Sequence, residues 1–176
     1  FQWLLLRDEK DAESLFNLGR VAFGQGKYEE ALKHYRAATV LRGGDYPEAL
    51  FNTALVHVAR GEAPAAVEAY RKALEVRGQW PEAHYNMGLA LMRQGLGEAA
   101  AASFERAEEL NPGYAEAQFN LGLLAMRAGD YDGAIVAFSR ALTNRPDYTR
   151  ARLNLAVSYA KVNKLPAAID EYRRLL

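Results

Sequence analysis

Asparagine is the residue type whose spacing in this chain most clearly suggests a chemical role. Five of the eight asparagines follow one another at intervals of 34 or 35 residues, and they are Asn17, Asn52, Asn86, Asn120 and Asn154. A side-chain amide both donates and accepts hydrogen bonds, so a row of amides can pair with an extended polypeptide backbone of any sequence. The same amides can instead bond locally within the protein. The spacing therefore predicts either a peptide-binding row or a repeated structural contact.

The asparagines belong to a repeat that covers residues 12–176. An aromatic column keeps the same interval, with Tyr35, Tyr70, Phe104, Phe138 and Tyr172. An alanine column does so too, with Ala31, Ala66, Ala100, Ala134 and Ala168. Self-similarity at such a period indicates stacked units, because one unit cannot bury its apolar face alone.

Turn residues divide each repeat into two helices. Glycine or asparagine recurs near the middle, at Gly26, Gly61, Gly95, Gly129 and Asn163. These residues favour the left-handed backbone that ends a helix. Pro47 and Pro81 are expected to open first helices, and Pro64 and Pro166 to lie in the first turn of second helices, where a missing N–H costs nothing. The prediction is a helix-turn-helix in every repeat.

This pattern resembles the tetratricopeptide repeat family, whose 34-residue helix-turn-helix unit has small residues at fixed positions and a proline near its end. Pro112 and Pro146 match that proline, whereas Gly43 and Gly78 replace it. The early tryptophan of the family is replaced by Leu15, Leu50, His84, Gln118 and Arg152. The resemblance implies an all-α fold, a right-handed α-solenoid of stacked hairpins with a concave groove lined by the first helices.

The repeat register gives the expected domain organisation. One array occupies residues 1–176, and residues 1–11 are expected to be the end of a preceding repeat helix. The five repeats are residues 12–46, 47–80, 81–114, 115–148 and 149–176, the last of them truncated. Counted from these starts, the asparagines are the sixth residue of each repeat.

Apolar residues accompany the asparagine row on the same stripe of the first helices. We call this set the apolar lane: Phe51, Tyr85, Phe119, Leu55, Leu89, Leu123, Met92 and Met126. An exposed apolar strip marks a binding surface, and methionine suits adaptable contacts. Part of the lane can equally pack between neighbouring helices. The asparagine row itself resembles the ladder in the repeats of O-linked N-acetylglucosamine transferase, which implies a grip on substrate and partner polypeptides.

Charged residues border the lane. Acids occupy the second position of four repeats, as Glu13, Glu48, Glu82 and Glu116, and bases follow at Arg93, Arg127 and Lys161. Acids at helix starts and bases at helix ends also complement the helix dipole, which favours a structural role. Arg150 breaks the acidic column and indicates a specific contact, so an acidic partner segment is expected near the last repeat.

Composition argues against several classes of protein. Basic and acidic residues are equal in number, which argues against nucleic-acid binding, and the absence of cysteine excludes disulfides and thiolate sites. His34, His57 and His84 occupy unrelated repeat positions and form no ligand spacing. We therefore expect no catalysis, no cofactor, no metal and no membrane insertion. The cysteine content is compatible with the cytoplasm or a bacterial periplasm.

Three functions remain open from the sequence. The first is an interaction scaffold that binds a partner's extended peptide or amphipathic helical segment in the concave groove. The second is a self-assembling module that forms a homo-oligomer. The third is a substrate-recruiting region of a larger enzyme.

Overall fold

The computed structural model describes the backbone of residues 2–176 and the side chains of residues 11–176. This part of the chain forms ten α-helices and no strand. The first five are α1 (Gln2–Gly24), α2 (Tyr28–Leu41), α3 (Pro47–Ala59), α4 (Ala63–Val76) and α5 (Pro81–Arg93). The others are α6 (Gly97–Leu110), α7 (Ala115–Arg127), α8 (Tyr131–Asn144), α9 (Thr149–Lys161) and α10 (Leu165–Arg173). The predicted all-α class is confirmed.

The helices form two compact units. The first ends at Leu96 and contains α1 to α5, and the second is Gly97–Leu176 with α6 to α10. Within each unit every helix packs against the next one in the chain, and α1 also contacts α3. The backbone of residues 2–11 continues into α1 without a break. Whether those residues end a preceding repeat depends on side chains that mostly lie outside the described part of the chain, so that assignment remains a prediction.

The turn inside each hairpin has the conformation that the sequence predicts. The backbone φ angle is positive at Gly26 (73°), Gly61 (75°), Gly95 (77°), Gly129 (80°) and Asn163 (60°). The next residue donates its N–H to the carbonyl five residues earlier, for example Asp130 to Ala125 at 2.9 Å. This is the Schellman arrangement, which satisfies carbonyls that the helix end leaves unpaired. Pro47 and Pro81 begin α3 and α5, as predicted.

Aromatic rings of the second helices are part of the buried core. Tyr35, Tyr70, Phe104 and Phe138 are fully buried, whereas Tyr172 is 40% exposed. A Cβ atom added at Gly122 of α7 would lie 2.5 Å from the Phe138 ring of α8, and the same distance separates Gly19 from Tyr35. Glycine at this position of the first helix therefore lets the two helices of a hairpin approach closely.

Candidate peptide-binding surface

The asparagine row has one repeated geometry. In four repeats the amide Nδ2 donates a hydrogen bond to a main-chain carbonyl four residues earlier in the same helix, at 2.7–2.8 Å. The acceptors for Asn52, Asn86, Asn120 and Asn154 are the carbonyls of Glu48, Glu82, Glu116 and Arg150. This bond fixes each amide against its own helix. Asn17 differs, because its Oδ1 accepts from Arg20 at 3.5 Å.

The tethered amides retain hydrogen-bonding capacity. A primary amide has two N–H donors and one carbonyl acceptor, and the tether uses a single N–H. Within the described part of the chain, Oδ1 of Asn52, Asn86 and Asn154 accepts no hydrogen bond, and these side chains are partly exposed. Asn120 is more enclosed, at 8% exposure. Each available amide can therefore offer one donor and one acceptor in a fixed orientation.

The aromatic members of the apolar lane pack into clusters. Phe51 stacks on Trp80 with ring centroids 4.6 Å apart and meets the edge of Tyr70 at 5.4 Å. Phe119 lies between Tyr148 at 4.9 Å and Phe138 at 5.7 Å, and it is only 3% exposed. Phe119 therefore shapes the surface from within the core and presents almost none of its own area. Its burial follows from the two rings packed on it.

The other members of the lane, Tyr85 and the aliphatic residues, are neither fully buried nor fully exposed. Tyr85, Leu55, Leu89, Leu123, Met92 and Met126 are all partly buried. Leu123 and Met126 pack against the core of the second unit. Each of these side chains thus supports the hairpin with one part of its surface and leaves another part accessible. The packing role is therefore supported for Leu123 and Met126, and the binding role of the lane remains a prediction.

Two of the four acids at the helix starts form ion pairs within their own hairpins. Glu48 pairs with Arg77 at 3.4 Å, and Glu116 forms an ion pair with Arg145. The hydrogen bond that Arg145 donates to the Glu116 carboxylate raises the pKa of Arg145. Each arginine also lies over a ring, Arg77 over Trp80 at 4.6 Å and Arg145 over Tyr148 at 4.6 Å.

The sequence contained a signal for these contacts. Arginine precedes an aromatic residue by three or four positions at the end of three repeats, as Arg42 and Tyr46, Arg77 and Trp80, and Arg145 and Tyr148. The spacing recurs with the repeat, so the pairing could have been predicted. The structural interpretation of the acidic column is supported at Glu48 and Glu116, although the partner is an arginine as well as the helix dipole.

The basic border residues behave differently from the acids. Arg93, Arg127 and Lys161 are exposed, and none forms an ion pair within the described part of the chain. Arg150 is exposed as well, and its guanidinium carbon lies 5.2 Å from the centroid of the Phe119 ring. These four cations therefore have no carboxylate partner within the described chain, whereas Glu48 and Glu116 are already paired with arginines.

In three repeats, the residue that replaces the tryptophan of the family forms a hydrogen bond to the preceding loop. His84, Gln118 and Arg152 each hydrogen-bond the main-chain carbonyl of the loop residue six positions earlier. The distances are 3.0 Å to Gly78, 3.0 Å to Pro112 and 2.6 Å to Pro146. Sequence reasoning missed this role, because the three side chains share only their ability to donate. The bond fixes the loop that leads into each first helix.

A metal site and a membrane-spanning helix are two further possibilities for the described residues. No three histidine, aspartate or glutamate side chains there converge in a way that could hold a metal ion. No helix in the same part of the chain combines the length and apolarity needed to cross a membrane.

The fold and this surface define a class of helical-hairpin repeat proteins. The chain belongs to the tetratricopeptide repeat family, whose profile, described as Tetratricopeptide repeat, matches residues 1–46, 16–84, 85–149 and 119–176. The resemblance inferred from the sequence is therefore confirmed.

Solved structures share the fold along nearly the whole chain. The crystal structure of MamA protein superimposes with a TM-score of 0.87 at 23% sequence identity, and the match covers 95% of this chain and 91% of that one. MamA residues 41 to the end, from Desulfovibrio magneticus RS-1, give a TM-score of 0.83 and 21% identity, covering 94% and 93%. YrrB is described as a TPR protein with an unusual peptide-binding site. Its structure gives a TM-score of 0.80 at 23% sequence identity, and the match covers 99% of this chain and 90% of that one. At these identities the likeness establishes the fold.

Curated relatives match a shorter part. Photosystem I assembly protein Ycf3 of Synechococcus sp. (strain CC9605) is 40% identical over 68 residues, which is 38% of this chain and 39% of that protein. Ycf3 of Cyanophora paradoxa is 35% identical over 69 residues, or 38% and 40%. The match thus spans about two fifths of the length of these relatives. No catalytic activity is named in the family or in these relatives.

Proposed function

We propose that this chain is a non-catalytic scaffold that binds an extended or amphipathic helical segment of a partner protein on the face of its first helices. The observation that carries the proposal is the repeated tether of the asparagine amides. Four amides have the same orientation, each relative to its own helix. Asn52, Asn86 and Asn154 keep a donor and an acceptor available. Backbone amides of a bound peptide present the complementary groups.

The chemistry of the surface favours binding over catalysis. Its accessible groups are mainly amides, aliphatic side chains and the cations of arginine and lysine. General acid–base catalysis is most often carried out by a histidine, aspartate or glutamate placed beside the reacting group. The carboxylates of Glu48 and Glu116 are paired with arginines. These groups can hold and orient a polypeptide, which is what a scaffold requires.

Two relatives agree with this proposal by their descriptions. YrrB is described as having a peptide-binding site, and it has the same fold. Ycf3 is described as an assembly protein, and it shares a segment at 40% identity. Both descriptions belong to those proteins, and they support a role in binding polypeptides here.

The proposal is tested by substituting the tethered amides. Peptides are first selected from a random displayed library on the immobilised chain, and their affinity is measured by isothermal titration calorimetry. The triple variant Asn52→Ala, Asn86→Ala and Asn154→Ala should weaken binding by about tenfold or more, at roughly 0.5–1.5 kcal/mol for each lost hydrogen bond. Stability should not fall, because alanine is the better helix former.

Asn111→Ala is the matched control. Asn111 lies in the loop before α7, where its side chain accepts from the N–H of Gly113 at 3.2 Å, so it is an asparagine outside the row. The control should bind like the unmodified chain. Equal affinity of the triple variant and the control would refute the role of the asparagine row.

A further inference from the structure

Charge is distributed unevenly over the helices of the second unit. Acidic and basic residues of Gly97–Leu176 are equal in number, yet α9 contains no acidic residue and α7 contains only Glu116. Glu116 is neutralised by Arg145. The first-helix face of this unit is therefore positive although the unit as a whole is neutral.

Three cations on this face have no carboxylate partner within the described chain. They are Arg127, Arg150 and Lys161, and all three are exposed. Arg152 is not one of them, because it pairs with Glu171 at 2.8 Å and bonds the carbonyl of Pro146. The comparison separates cations that hold the fold together from cations that are available to a ligand.

Arg150 is the best-positioned of the three. Its guanidinium carbon lies 5.2 Å from the ring centroid of Phe119, a residue of α7, although Arg150 itself belongs to α9. A cation over an aromatic face is attracted to it, which restrains the long side chain. Guanidinium N–H donors remain suited to bidentate binding of a carboxylate. Because the Arg150 side chain is already restrained, less conformational entropy is lost when a ligand binds.

An apolar strip separates the cations of α9. Leu153 is 47% exposed, and Val157 one turn later is partly buried. Arg150 and Lys161 are eleven residues apart on this helix, which corresponds to about 16 Å along its axis. An extended peptide covers that distance in about five residues. Alternate side chains of an extended peptide face the same side, so the two carboxylates must be an even number of residues apart. A spacing of six residues spans about 20 Å, and the long side chains of Arg150 and Lys161 cover the small difference. The apolar side chains between the carboxylates then lie over Leu153.

We propose that the first-helix face of the second unit binds an extended acidic–apolar peptide segment, with carboxylates six residues apart and leucine-like side chains at the alternate positions between them. This inference rests on the proposed scaffold function and names the chemistry of its partner. Arg150 and Lys161 bind the carboxylates, Arg127 adds to the positive field, and Asn154 pairs with the peptide backbone.

The test uses three fluorescein-labelled peptides that differ only in charge. Their cores are Asp-Thr-Leu-Thr-Leu-Thr-Asp, Asn-Thr-Leu-Thr-Leu-Thr-Asn and Lys-Thr-Leu-Thr-Leu-Thr-Lys, in which the end residues and the leucines share one face of the extended peptide, and binding is followed by fluorescence anisotropy. At low salt the Asp peptide should bind about tenfold more tightly than the Asn peptide, with the Lys peptide weakest. The preference should shrink as salt shortens the screening length.

Charge reversal locates the site. The double variant Arg127→Glu and Lys161→Glu should abolish the preference for the Asp peptide, and it alters exposed side chains that form no ion pair in the described chain. The control is Lys33→Glu with Arg36→Glu, two exposed cations of α2 that also have no ion pair there. This control variant has the same net charge as the Arg127→Glu and Lys161→Glu variant, and it should keep the preference for the Asp peptide.

Several results would overturn this inference. One is equal affinity for the Asp and Asn peptides, and another is loss of preference in the α2 control alone. Absence of binding by all three peptides up to about 1 mM would also refute it. So would tighter binding to phosphatidylserine vesicles than to the Asp peptide. The scaffold function is decided separately by the library selection, so the two failures are distinguishable.

Discussion

Replacing Tyr70 with phenylalanine should stabilise the protein, which is the opposite of the usual effect of losing a hydroxyl. The Tyr70 side chain is fully buried, and its hydroxyl has no hydrogen-bond partner within the described chain. Burying an unpaired polar group costs about 1–3 kcal/mol, whereas the small void left by its removal costs about 1 kcal/mol or less. Phe104 and Phe138 occupy the same repeat position and are equally buried.

The expected gain is about 1 kcal/mol in the free energy of unfolding, or about 2–4 °C in Tm for a chain of this size. Equilibrium unfolding in guanidinium chloride and differential scanning calorimetry measure it. Tyr172→Phe is the matched control, because Tyr172 belongs to the same column but is 40% exposed. If Tyr70→Phe is less stable than this control, the hydroxyl has a stabilising partner and the reasoning is wrong.

Three further predictions concern glycine and tyrosine residues of the helical hairpins. Gly122→Ala should lower the denaturation midpoint, because its Cβ would lie 2.5 Å from the Phe138 ring and overpacking costs about 1–3 kcal/mol, more than the gain in helix propensity. Gly129→Ala should cost about 1–2 kcal/mol in equilibrium unfolding through its φ of 80° alone, since nothing lies near the new Cβ; Gly129→Asn should cost less, and equal costs would contradict this explanation. Burial raises the pKa of Tyr35 and Tyr70, so the unfolded chain loses these protons first and stability falls as pH rises above about 10. Midpoints measured at increasing alkaline pH should show this fall, and it should be smaller in Tyr70→Phe.

The fold could be predicted because its signals are local and occur five times. The turn at Gly129 depends on one residue's tolerance of positive φ, and the same requirement recurs at Asn163, where asparagine is the usual substitute. Pro47 and Pro81 mark helix starts because their rings fix φ and their missing N–H groups need no partner there. Such signals do not depend on what packs against them.

The surface was less predictable because it depends on neighbours in space. Phe119 and Leu153 occupy the same repeat position, yet Phe119 is 3% exposed and Leu153 is 47% exposed. Two rings enclose Phe119, and the periodicity of its own helix could not reveal them. Likewise, the column of asparagines was evident, but the tether of each amide to its own helix requires a side-chain orientation that residue type does not determine.

The close approach of glycine to an aromatic ring has a use in spectroscopy. The first unit contains one such pair in Gly19 and Tyr35, and the second contains another in Gly122 and Phe138. Ring currents displace the resonances of the glycine α-protons from their ordinary chemical shifts, and the displacement disappears once the ring moves away. These two glycines are therefore natural NMR reporters, one in each unit. They can show whether the two units lose their structure together or one after the other.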